Sequence, residues 1–99
     1  MEHTHEELCG ILNAQAGKLV WADIEKHFAR GVVIKIGPEM DLIEVAATIV
    51  EDNKALLESW MKDASVCNAD EKDAKDWLQR QPEFWAVVVT PWVVVQEIV

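Results

Sequence analysis

The stretch Phe84-Trp85-Ala86-Val87-Val88-Val89-Thr90-Pro91-Trp92-Val93-Val94-Val95-Gln96-Glu97-Ile98-Val99 decides the fold class of this chain. Its first twelve residues are nearly all apolar and mostly β-branched. Branching at Cβ favours extended backbone, and a continuous apolar run suits a strand covered on both faces. Pro91 has no N–H to give to a ladder and belongs at an edge or a bulge. Thr-Pro is also a poor centre for a tight hairpin, where Asn-Gly or Asp-Gly is preferred. The segment therefore reads as two strands, about Trp85–Val89 and Trp92–Glu97, related by a bend. Together they are too long to pair only with Val32–Ile36, a β-branched run closed by Gly37-Pro38 that supplies a third strand.

Upstream, helical signals dominate. Thr4 followed by Glu7 matches a capping box, and Leu8, Ile11 and Leu12 continue it as a helix from about His5 to Gln15. Val20, Trp21, Ile24 and Phe28 repeat with helical period, and Gly31 is placed to end a helix over about Leu19–Arg30. Asp41 with Glu44 opens a long apolar stripe that Glu51-Asp52-Asn53 interrupts. An unbroken helix from Asp41 to Ala64 would be roughly 36 Å long, so two helices joined near Asp52-Asn53 are preferred, with one kinked helix as the alternative. Asp70 caps a further helix to about Arg80, ahead of Pro82. The expected fold is α+β: four or five helices on one face of a small, mostly antiparallel sheet of about three strands. Residues 1–99 form one domain, with residues 1–4 frayed.

Composition limits the function classes. The 99 residues carry 18 acidic and 9 basic side chains, a formal charge of −9, with 51% hydrophobic content. Such a surplus argues against a nucleic-acid partner, whose phosphates are neutralised by Lys and Arg, and against anionic membrane surfaces. Met1-Glu2-His3-Thr4-His5 has neither the basic nor the apolar part of a signal peptide, and no apolar run is long enough to span a bilayer. With Cys9 and Cys67 far apart and no CxxC pair, reduced thiols and a cytoplasmic address are expected.

Chemistry-bearing clusters are sparse. His3, His5, Glu6 and Cys9 form the one group with metal-ligand character, and His5 and Cys9 at i,i+4 share a helical face. Completing a Zn²⁺ site would require His27 or Cys67, which nothing in the spacing demands. The bland reading, a solvated terminus with a small thiol, is favoured. A thiol nucleophile would need His27 beside Cys9 or Cys67, and the carboxylates Asp23, Glu25, Glu44, Glu51, Asp52, Asp70 and Asp73 each fit a cap or a solvated face. Residues 70–76 lack the Gly and distal Glu of a calcium loop. No catalytic residue, cofactor or metal is assigned.

Phe28-Ala29-Arg30-Gly31, Asp41-Leu42-Ile43-Glu44-Val45-Ala46, Trp60 and above all the Phe84–Glu97 stretch resemble a bacterial family known as domain of unknown function 2288, over about Trp21–Glu97. The resemblance implies a small soluble bacterial protein and carries no catalytic residue to this chain.

Five tryptophans with no tyrosine remain to be placed. Trp21, Trp60 and Trp77 fall on apolar helical faces, whereas Trp85 or Trp92 is expected to project as a contact surface. The leading expectation is an interaction or structural module whose C-terminal strands are covered by a second copy or a protein partner, with Pro91, Trp92 and Val94 at the interface. The alternative is a small-molecule-binding protein or enzyme. Its pocket would lie between the sheet and the 41–64 helices, lined by Trp60 or Trp85 with a carboxylate such as Glu44.

Overall fold

The C-terminal run is apolar on both sides because it fills the centre of a sheet with helices on both faces. In the computed structural model, which describes residues 4–98, ten elements follow one another. They are α1 (His5–Gln15), β1 (Gly17–Val20), α2 (Trp21–Ala29), β2 (Val33–Ile36), α3 (Leu42–Val50), α4 (Lys54–Lys62), β3 (Val66–Asn68), α5 (Glu71–Arg80), β4 (Glu83–Val89) and β5 (Trp92–Glu97). The expected fraying of residues 1–4, apart from Thr4, and any role for His3 lie outside the described residues. The fold is α+β.

Four of the helices begin where side-chain caps place them. Thr4 Oγ1 accepts the Glu7 N–H at 3.1 Å, and Asp41 Oδ1 accepts from Ile43 and Glu44 at 2.9 and 3.3 Å. Asn53 Oδ1 accepts from Leu56 at 3.2 Å, so the 41–64 stretch is two helices. Between them Asp52 takes the left-handed conformation, φ 56°. Asp70 and Asp73 each accept the other's backbone N–H at 3.0 Å, a reciprocal cap with Asp in both roles. Gly31, φ 74°, ends α2 in the backbone conformation that favours glycine.

The sheet departs from expectation in three ways. It has five strands rather than about three, in the order β1-β4-β5-β2-β3. Gly17–Val20 is an edge strand paired with β4, Leu19 lying opposite Phe84, where helical periodicity had placed the start of α2. Val66–Asn68 is the other edge, three residues long and paired with β2. Both are short, as exposed edges tend to be, and too short to show alternation in the sequence. Second, the sheet is mixed, because β2 runs parallel to β5 with Val33 opposite Val93. Third, β4 and β5 form a tight hairpin across Thr90-Pro91, which joins them through a cis bond. Six facing pairs, from Phe84–Glu97 to Val89–Trp92, hold that hairpin despite its unfavourable turn residues.

Nor do the helices share one face. Leu12 of α1 and Leu42, Val45, Ala46 and Ala47 of α3 pack with Ile34, Ile36, Val66, Val87, Val89 and Val94, and Trp60 of α4 joins at the margin. On the opposite face Trp21 and Ile24 of α2 and Trp77 of α5 pack with Val33, Phe84, Ala86, Val93 and Val95. Trp77 meets Phe84 edge-on at 4.9 Å and Trp21 at 5.9 Å. The alternating parity of β4 sends Val87 and Val89 to one layer and Phe84 and Ala86 to the other.

This arrangement removes the basis for covering the C-terminal strands with a second copy. Both edges of β4 and both edges of β5 are already paired within the chain. Val94 is completely buried, so it offers no interface surface, whereas Pro91 is exposed and Trp92 half-buried at the hairpin tip.

Candidate functional site

Where α1 crosses α3, four side chains with functional chemistry converge. His5 and Cys9 lie one turn apart on α1, and Glu44 lies on α3 with Glu51 at its C-cap. The His5 Nε2 is 2.9 and 3.1 Å from the two Glu44 oxygens, and Nδ1 is 3.0 and 3.2 Å from those of Glu51. The Cys9 Sγ lies 3.6 Å from His5 Nε2 and donates to Glu44 Oε1 at 3.7 Å. The hydrogen bonds and charges of Glu44 and then Glu51 hold the imidazole above its ordinary range. Desolvation first, and the Glu44 charge second, push the Cys9 thiol up. The ligating atoms of His5, Cys9 and Glu44 all fall within 4.8 Å of one another.

Toward the other end of the same seam an open groove of about 330 Å³ lies between the end of α1, the start of α3 and the sheet. Asn13 and Ala16 form one bank, Met40–Ile43 the other, and Trp85 and Gln96 the floor. Gln96 is fixed in place, since its Nε2 donates to the carbonyls of Met40 at 2.6 Å and Gly37 at 2.9 Å. Trp85 belongs to a central strand yet is 41% exposed, because neither helix extends over it. The Lys18 ammonium, from the facing position on β1, lies 5.2 Å from the indole centroid.

The other sequence candidates are dispersed. Cys67 sits on β3 opposite Lys35, and His27 sits on α2 across the sheet, so neither joins His5 and Cys9. Trp21 and Trp77 are buried, and Trp60 packs at the core margin rather than lining the groove. The Glu44 carboxylate faces His5. Glu44 and Glu51, one heptad apart on a single helical face, were a signal in the sequence that matches the i,i+4 pair His5 and Cys9. Nothing in the sequence said that α1 would lie against α3. Among the described residues no helix is long and apolar enough to cross a membrane.

None of the curated proteins matches this chain. Among solved structures, the NMR solution structure of PA1075 from Pseudomonas aeruginosa is similar at 34% identity and a TM-score of 0.83, over 100% of this chain and 94% of that one. The model of the family described as "Protein of unknown function (DUF2288)" matches residues 7–97, which takes in nearly every element of both helical layers and the sheet. The chain belongs to that family.

Proposed function

We propose that this protein is a binding module that takes a small organic ligand with a flat, apolar body into the groove over Trp85. One observation carries the reading: a tryptophan on the central hairpin is left 41% exposed as the floor of an open groove. Small-molecule sites are concave, mostly apolar and supplied with a few fixed polar groups. Here Met40, Leu42 and Ile43 supply the apolar wall, and the anchored Gln96 amide and Asn13 supply polar contacts. The Lys18 ammonium, held against the Trp85 indole, favours a ligand with an acidic substituent. A thermal-shift screen of aromatic and heteroaromatic metabolites tests the reading. Ligands should raise the melting temperature of the wild type and leave Trp85→Ala unmoved. Stabilisation that persists in Trp85→Ala, or no stabilising compound of this class, would contradict it.

A second reading places a protein partner, or another copy of the chain, at the hairpin tip. It rests on a hollow of about 300 Å³ formed by Ile49, Val50, Val89, Thr90 and Trp92, in which the Val50 side chain is half exposed. Pro91 and Trp92 would remain interface residues, and Val94 would not. Sedimentation should then show a dimer that Val50→Glu dissociates. A monomer throughout the micromolar range rules out the self-associating form.

A further inference from the structure

The His5–Cys9–Glu44–Glu51 cluster is separate from the Trp85 groove, and beside its two His–carboxylate ion pairs it brings a thiol within reach of both His5 Nε2 and Glu44. We propose that His5 Nε2, Cys9 Sγ and the Glu44 carboxylate bind one borderline-soft divalent cation of the Zn²⁺ class, with Glu51 as the positioning residue for the imidazole.

The donor spacing carries the argument. A tetrahedral ion with bonds of about 2.0–2.3 Å holds its ligand atoms about 3.3–3.8 Å apart. The Cys9 Sγ lies 3.6 Å from His5 Nε2 and 3.7 Å from Glu44 Oε1, so two edges of the triangle already have that length. The third, His5 Nε2 to Glu44 Oε1, is 3.1 Å and opens with a small rotation of the exposed Glu44 side chain. All three donors stand on helices that pack against each other and the sheet, so the core fixes the backbone positions from which these side chains reach.

Glu51 is a second, independent observation. Its carboxylate lies 3.0 Å from His5 Nδ1, so once a cation takes the place of the Nε2 proton it can hold the Nδ1–H and leave Nε2, beside Cys9 and Glu44, as the ligand atom. A carboxylate behind the imidazole is how metal-ligating histidines are fixed in tautomer and orientation. A protonated His5 between two carboxylates would explain the His–Glu contacts alone. It would not explain a thiol placed within reach of both His5 Nε2 and Glu44. One nitrogen, one sulfur and one oxygen donor suit Zn²⁺, and three protein ligands leave a fourth position for water or a ligand atom.

The test uses the full chain under reducing conditions near neutral pH. Zn²⁺ affinity is measured against a chromophoric chelator, and Co²⁺ serves as a spectroscopic probe of thiolate ligation. The wild type should bind one equivalent of Zn²⁺, and its Co²⁺ form should show a thiolate-to-metal charge-transfer band. Cys9→Ser and Cys9→Ala should both abolish the band, and Glu44→Gln should weaken Zn²⁺ binding by at least about tenfold. Glu51→Gln should weaken binding by about 10- to 100-fold while retaining the band, because it removes an orienting contact and not a ligand. Cys67→Ser and His27→Asn should change nothing. Circular dichroism establishes that each variant is folded. No Zn²⁺ bound at tens of micromolar, affinity within about twofold of wild type in Cys9→Ala and Glu44→Gln, or a band that disappears with Cys67→Ser would overturn the proposal.

Discussion

Val94 lies between two helical layers with none of its surface exposed, flanked on its strand by the equally buried Val93 and Val95. Removing two methyl groups in Val94→Ala should cost about 2 kcal/mol, transfer and cavity effects together, as read from the urea midpoint. Val94→Lys places an unpaired charge in the core and should cost more than about 4 kcal/mol, enough to leave much of the chain unfolded. The same change on a solvent-facing interface position would be nearly neutral, so this pair of variants separates core from interface. Ala64 presents the opposite case. It is exposed and held at φ 60°, where an L side chain is strained, so Ala64→Gly should stabilise by up to about 1 kcal/mol despite the entropy of glycine in the unfolded chain. The identity of these residues was plain in the sequence, but their environment was not. A Val-rich run reads as buried whether its cover comes from the same chain or another one.

Helices were legible element by element because their signals are local. A capping side chain reports its own helix start within three residues, and Thr4, Asp41, Asn53 and Asp70 all do so. Asn53→Ala should cost about 1 kcal/mol and fray the first turn of α4, visible as faster amide exchange there. At α5 the Asp70 carboxyl is held below its usual range, chiefly by the Asp73 N–H it accepts and against a smaller desolvation effect. A carboxyl with a depressed folded pKa adds stability above its unfolded value near about 3.9 and loses that contribution as the pH falls through the folded value. Stability should therefore decline in acid below about pH 4 more steeply for wild type than for Asp70→Asn, which keeps a capping oxygen without the titration. Strands were less legible, because β1 and β3 are defined by partners far away in sequence, Phe84 and Ile36 among them. The helical period through Val20, Trp21 and Ile24 was real, but it begins at Trp21; Gly17–Val20 is claimed by the edge of β4. The hairpin at Thr90-Pro91 shows the same rule, with ladder pairing prevailing over local turn preference.

Across the whole molecule the strand order puts the most apolar segment in the middle and the shortest strands outside. Amides of β4, β5 and the inner side of β2 should exchange slowest, and those of β1 and β3 measurably faster. Because two helices fail to extend over Trp85, and because α1 rests on α3, the open groove and the His5–Cys9–Glu44 cluster lie along one seam rather than at the C-terminal strand edges. That seam was only half legible in the sequence. Trp85, Glu44, His5 and Cys9 were each noticeable, but the packing that joins them is long-range. Backbone and indole ¹H–¹⁵N shift mapping during titration with a stabilising aromatic metabolite tests whether small ligands enter over Trp85. Saturable shifts should gather on the Trp85 indole and on Asn13, Ala16, Met40–Ile43 and Gln96. Shifts gathered instead on Val50, Thr90 and Trp92, or spread without a centre while the Trp85 indole stays fixed, would contradict it.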